Sequence, residues 1–305
     1  MRTLEENYYA QTLAEFIRCC DQEIVMLNWI RTRLPIYLQG LHWKRDRTPL
    51  RIIGVGSGNG IMDTEIAKIM LPYQRDIDCT AIEPDIEELD RFKRRVNADK
   101  MLLGQVSFDW NHCCSEEFEG TLEGNKRDDL KFGTHLVHML QMLYHVRDLE
   151  SSLMTYFGQL DASGLMLITL ASKQGNEMQA AFQDYERKLQ LDKYPTQRNQ
   201  KRYSDDIIEI LKRKGIPYYK ENVVYRVDVS ECFKERSKAG AKLLDFICLT
   251  NATRVYQTLA GTNRKALLES MSEFCSKDIE GRVTLKLSFD AILVYKTPRV
   301  NGLKV

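Results

Sequence analysis

The sequence predicts an α/β protein with a mostly parallel sheet and an antiparallel strand near the C-terminus. Two patterns carry that expectation. From 51 to 170, short apolar runs alternate with segments of helical periodicity, as in a parallel sheet connected by crossover helices. Within them, Arg51-Ile-Ile-Gly-Val-Gly-Ser-Gly-Asn-Gly60 is an apolar strand running into glycines at alternate positions, answered by Ala81-Ile-Glu-Pro84. Glycine lets a backbone turn sharply and approach a ligand closely, since no Cβ intervenes.

The elements follow in order. Residues 6–34 place Tyr9, Leu13, Phe16, Ile24, Leu27 and Ile30 at helical spacing, and Pro35 is expected to close that helix. Strands are expected at 51–55, 79–82, 106–110, 135–139 and 165–170, separated by helices at 63–70, 86–96 and 149–160. The polar stretch 173–201 reads as a helix with a mobile loop, and Ser204 as the N-cap of a further helix. A strand near 223–229 precedes two alternating runs, 282–287 and 291–295, which read as a hairpin turning through Ser288-Phe-Asp290. The expected division is a helical region over 1–50, a nucleoside-binding core over 51–172, and substrate-side insertions over 173–305 that complete the sheet.

Composition removes several function classes. The 305 residues carry 44 basic and 43 acidic side chains, a net charge of +1, without a basic stripe. A nucleic-acid partner therefore has no electrostatic footprint. Lys93-Arg-Arg95 reads as the solvated face of a helix. The eight cysteines include the adjacent pairs Cys19-Cys20 and Cys113-Cys114 but no C-x-x-C, so neither a zinc site nor a disulfide scaffold is expected. Free thiols, the polar first residues and the lack of a membrane-length apolar run lead to an expected cytoplasmic, soluble protein, with a monomer the expected assembly.

Glu83 ends the second apolar run, where a carboxylate can accept both hydroxyl hydrogens of a ribose. The spacing G-x-G-x-G at Gly56, Gly58 and Gly60 departs from the dinucleotide fingerprint G-x-G-x-x-G, and no phosphate-loop Lys follows. A nicotinamide dehydrogenase is disfavoured by that spacing and by the lack of a second strand–helix half.

The strand–loop–acid pattern resembles motifs I and II of the class I S-adenosylmethionine-dependent methyltransferases, whose topology is Rossmann-like with one antiparallel strand. More narrowly, the chain resembles the histamine N-methyltransferase family from about Tyr9 to Tyr295. The resemblance is carried by His138-Met-Leu-Gln-Met-Leu-Tyr-His-Val146, Phe108-Asp-Trp110, Tyr203-Ser-Asp-Asp206, Asp228-Val-Ser-Glu-Cys-Phe233 and Leu243-Leu-Asp-Phe246. It implies S-adenosyl-L-methionine as cofactor, with Gly56, Gly58 and Gly60 in the loop and Glu83 on the ribose. It also implies Ser115 beside the adenine, Leu140 as an apolar contact, and Glu88 where the family has a Gln. The N-terminal helices would form a lid.

The substrate anchors implied by the resemblance carry over unevenly. Gln141 is retained, while the family's Glu falls on Gln22 and its Asn at about Leu287. Tyr144 is kept and His145 replaces a second Tyr. Gln141 suits an unprotonated nitrogen, since an amide both donates and accepts without charge. Tyr144 can wall the pocket and offer a hydroxyl or a ring face. His145 reads as exposed or capping, and His135 and His138 as packing residues along a strand. The expected function is an N-methyltransferase for a small histamine-like imidazole or amine. The alternatives are a histidyl dipeptide or other zwitterionic imidazole, whose carboxylate Lys286 could meet, and a silent cofactor-binding protein.

Overall fold

Five apolar runs become parallel strands: β1 (Leu50–Val55), β2 (Ile77–Ile82), β3 (Val106–Asn111), β4 (Thr134–Leu140) and β5 (Leu160–Ala171). They come from a computed structural model, which describes residues 4–39, 41, 49–73, 76–124, 130, 133–188, 202–251 and 261–297. β1, β2 and β4 are buried almost end to end, as strands covered on both faces must be. β3 alternates between partly buried and exposed positions, which marks it as an edge. β1 pairs in parallel with β2 and β4, β2 with β3, and β4 with β5.

The chain divides into two compact units. The larger holds 26–171, 204–221 and 290–305; the smaller holds 1–25, 172–203 and 222–289. The sheet order is β3-β2-β1-β4-β5-β8-β6, with β6 (Tyr219–Asp228) and β8 (Val283–Tyr295) each running on past a unit boundary. It is a mostly parallel sheet with one antiparallel strand, the topology expected from the sequence. The chain moves outward from β1 to β3 and then returns to β4 on the other side of β1. That reversal creates a switch point at the β1/β4 strand ends, where such sheets collect ligands.

In the larger unit the crossover helices are α4 (Ile61–Met70), α5 (Ile86–Ala98), α6 (Ser115–Glu123) and α7 (Leu149–Gln159). Asp85 and Asp148 start α5 and α7 by accepting the N–H of Glu87 and Ser151, at 2.9 Å each. Phe92 of α5 stands edge-on to Phe108 and Trp110 of β3, with centroids 5.5 and 4.9 Å away. One apolar cluster joins Ile53, Val137, Met139, Leu153, Tyr156, Ile168, Ile207 and Ile292. Glu221 gathers three donors from one helical face: Trp29 Nε1 at 2.7 Å, the Tyr37 hydroxyl at 2.5 Å, and the Arg33 guanidinium.

The smaller unit is built on α1 (Leu4–Cys19), α8 (Glu177–Lys188), α10 (Lys238–Asn251) and α11 (Gly261–Phe274). Phe16 of α1 packs tilted against Phe246 of α10 with ring centroids 4.7 Å apart, and Lys188 of α8 reaches Glu273 of α11 at 2.6 Å.

Four local expectations are corrected. The N-terminal helix is broken, because Cys20 bridges to Val227 and the Asp21 N–H donates to the Arg226 carbonyl. Pro35 opens a short helix, α3 (Leu34–Leu38), where its missing N–H is no loss. Ser204 is the first helical residue of α9 (Ser204–Arg213), and its hydroxyl donates to Asp290 at 2.6 Å. The hairpin at 288–290 is absent, since β8 runs straight through. The turn-prone polar groups there find tertiary partners: Ser288 donates to the Gln174 carbonyl, and Asp290 takes Ser204 and Lys220. The loop expected after α8 lies outside the described residues.

Candidate functional site

The glycine loop leaves β1 with Gly56, Gly58 and Gly60 at φ 67°, 55° and 73°. Gly60 caps α4, and a Cβ there would fall inside the Phe92 ring. Gly58 is different: a Cβ on it would meet nothing within 4 Å, so its bare face looks into open space. Gly56 would strike Met142 Cβ at 2.6 Å, which brings the loop against the segment that follows β4.

Glu83 clamps the loop from the end of β2. Its Oε2 accepts the Gly58 N–H at 2.7 Å and its Oε1 the Asp85 N–H at 2.8 Å. Burial pushes this carboxyl up, and the two backbone donors pull against that rise. A carboxylate can accept about four hydrogen bonds, so two backbone donors leave capacity for ribose hydroxyls. The open face at Gly58 and the aimed carboxylate at Glu83 fit a nucleoside.

Glu88 lies in the first turn of α5 and is ion-paired with Arg91. Ser115 is not solvated. It opens α6, donates to Glu119 Oε1 at 2.7 Å and lies 3.2 Å from the Tyr156 hydroxyl. Leu140 ends β4, half-buried.

Gln141 follows at φ 55°, a left-handed conformation uncommon outside glycine. Its N–H donates to the Thr169 carbonyl at 2.9 Å, which holds the kink at the strand end. The Tyr144 hydroxyl donates to Gln141 Oε1 at 2.6 Å and accepts the Ala171 N–H at 3.0 Å. The amide nitrogen stands 3.4 Å from Thr169 Oγ1. The hydroxyl of Tyr144 is thus engaged on both sides and holds the Gln141 amide oxygen. His145 is exposed, and His135 accepts the Arg51 N–H at 3.1 Å.

Gly56, Gly58, Glu83 and Gln141 therefore gather at the ends of β1, β2 and β4 in the larger unit. Gln22 and Leu287 belong to the smaller unit. Gln22 begins α2 (Gln22–Thr32), with its backbone N–H on Cys20 Sγ at 3.4 Å. Leu287 is a buried apolar residue of β8. Its neighbour Lys286 is paired with Glu177 at 3.7 Å.

Sequence reasoning missed a buried polar group behind the loop. Ser57 donates to Asp63 Oδ1 at 2.8 Å, and His138 Nε2 stands 3.3 Å from the same oxygen. The available signal was Gly54, an isolated glycine inside an apolar strand, which marks close approach. A Cβ on Gly54 would collide with the Asp63 carboxylate and come within 2.7 Å of His138 Cε1.

No family model matches the chain. Histamine N-methyltransferase B of Xenopus laevis is 29% identical over 296 residues, covering 95% of this chain and 96% of the relative. Histamine N-methyltransferase of Danio rerio is 27% identical over 298 residues, covering 96% and 98%. Carnosine N-methyltransferase 2 of Gallus gallus is 28% identical over 286 residues, covering 93% and 85%.

Along nearly its whole length the chain is similar to histamine and carnosine N-methyltransferases.

Two solved structures share its fold at a TM-score of 0.50. One is the YcgJ protein of Bacillus subtilis, at 11% identity, covering 87% of this chain and 98% of that one. The other is a methyltransferase candidate from Bacillus halodurans, at 13% identity, covering 88% and 100%.

Proposed function

We propose that the protein is an S-adenosylmethionine-dependent N-methyltransferase acting on a small imidazole- or amine-bearing molecule. The observation that carries this reading is the abutment of Gly56 on Met142, which sets the nucleoside loop beside Gln141. The full-length likeness to histamine and carnosine N-methyltransferases supports it.

Gly56, Gly58 and Glu83 would hold the cofactor, with Ser115 and Leu140 beside the base. When bound, the cofactor supplies a methyl group on a sulfonium whose thioether is already a good leaving group. The chain's own task is then to aim a neutral nitrogen and exclude water from it. Gln141 Oε1 keeps one lone pair beyond the Tyr144 hydroxyl. It can accept the N–H of an imidazole, which leaves the other ring nitrogen unprotonated and facing away from Gln141. The Ala171 N–H fixes Tyr144, Tyr144 fixes the amide, and the amide selects the tautomer.

A histidine-containing dipeptide is the second reading. It is favoured by the carnosine N-methyltransferase among the relatives. Mass spectrometry of methyl transfer from labelled cofactor to histamine, histidyl dipeptides and other biogenic amines tests both readings. Methylated histamine in excess over dipeptide product favours the first; no product from any nitrogen acceptor sinks both and leaves a silent cofactor-binding protein.

A monomeric, cytoplasmic protein is part of the proposal. The described cysteines are free, and no described helix is long and apolar enough to cross a membrane. Light scattering of the purified protein tests the assembly.

A further inference from the structure

Asp63 stands on the first turn of α4, directly behind the glycine loop, and methyl transfer as derived above does not use it. It is 8% exposed and its neighbour His138 2%. One oxygen gathers the cluster: Oδ1 accepts the Ser57 hydroxyl at 2.8 Å and faces His138 Nε2 at 3.3 Å. Gly54 leaves the room this carboxylate occupies. Gly54 and His138 are register partners across β1 and β4, so the cluster lies at the strand-order reversal where ligands collect.

A buried carboxylate is costly unless a positive charge or several donors compensate it. Burial pushes His138 down, so near neutral pH the imidazole donates a hydrogen bond without supplying a charge. Burial also pushes Asp63 up, against His138 and the Ser57 hydroxyl. Cys79 of β2, also buried and pushed up, is a neutral thiol on that side. Among the described residues no lysine or arginine pairs with this carboxylate. A sulfonium cofactor brings a positive charge to this end of the sheet, and the thioether left after transfer does not.

We propose that Asp63, held by Ser57 and His138, is a positioning residue whose buried charge makes the loop favour the sulfonium cofactor over its thioether product. The inference rests on the S-adenosylmethionine reading. No bond forms or breaks at Asp63; it acts through the field behind Ser57. Retention of cofactor and release of product would then share one cause.

The test is calorimetric binding of S-adenosylmethionine and S-adenosylhomocysteine to the whole protein. Asp63→Asn should lower the preference for the sulfonium ligand by about tenfold, the scale of one opposite charge nearby. Equal loss of both ligands in Asp63→Asn, or loss of neither, overturns the proposal while leaving the cofactor reading intact. Failure of the wild-type protein to bind either ligand overturns the cofactor reading and this inference with it. Should Asp63→Asn not fold, the wild-type preference is followed as the pH is lowered from neutrality. The preference should fall as Asp63 takes up a proton, and protonation of His138 acts in the same direction. Glu83 binds the ribose common to both ligands and cancels in the ratio. A flat ratio overturns the proposal.

Discussion

Tyr144→Phe removes one oxygen and leaves the ring, which makes it the sharpest probe of how Gln141 is aimed. The lost hydroxyl makes two bonds, to Gln141 Oε1 at 2.6 Å and from the Ala171 N–H at 3.0 Å. The amide oxygen can turn to water, but the Ala171 N–H at the half-buried end of β5 loses its acceptor. An orphaned backbone donor costs about 1–3 kcal/mol, and partial solvent access places this one near the low end, at about 1–2 kcal/mol of stability. Gln141, freed from its brace, should sample other rotamers. The expected kinetic result is a loss of about tenfold in kcat/KM for the acceptor, with the cofactor dissociation constant unchanged. Denaturant unfolding measures the first quantity and steady-state kinetics with calorimetry the second. Normal acceptor kinetics in a destabilised protein would refute the bracing argument, and so would an equal loss of cofactor affinity.

Other expectations follow from single contacts. Glu83→Ala removes the clamp on Gly58 and should weaken cofactor binding by about 1.5–3 kcal/mol; an unchanged dissociation constant detaches Glu83 from the ribose. Gly60→Ala forces a left-handed alanine into the Phe92 ring, and should lower stability by about 2–4 kcal/mol in urea unfolding. Gly58→Ala meets no protein atom, so it should cost only about 1–2 kcal/mol of backbone strain yet lose most cofactor affinity. Retained affinity in that variant would move the ligand elsewhere. For Glu221, burial pushes the carboxyl up, but hydrogen bonds from Arg33, Tyr37 and Trp29 outweigh it and hold the carboxyl below its usual value of 4.5. A depressed acid stabilises the fold above its unfolded value, and that contribution is lost as pH falls through the folded value. Glu221→Gln should therefore melt below wild type at neutral pH and converge with it under acid. A constant gap across that range would contradict the assignment.

The sheet was legible because its strands are apolar runs of the right length, punctuated by loops with clear chemistry. The glycine loop and its acid were legible because strand ends at that spacing converge, and Glu83 does meet the loop at the Gly58 N–H. What stayed hidden depended on partners far along the chain. Ser288 and Asp290 look like a turn until Gln174, Ser204 and Lys220 satisfy them inside a continuous strand. Ser115 is named by resemblance alone, and its contact with Tyr156, 41 residues on, emerges only in the fold. His138 reads as one more strand residue, and only the register with Gly54 shows that it faces Asp63. Gln22 and Leu287 were named by alignment alone, which fixes a position in the chain and not a chemistry.

The left-handed backbone at Gln141 sets stability against activity at one residue. A side chain held at φ 55° costs the fold about 1–2 kcal/mol that glycine would not. Selection for heat tolerance alone should therefore drift towards glycine at 141, yielding a sturdier protein that lacks the amide. Alanine keeps the strain and discards the amide, so the Gln141→Ala and Gln141→Gly pair separates the two. If both variants lose turnover while only glycine melts higher, the strain at the end of β4 is what the protein tolerates to keep its amide in place.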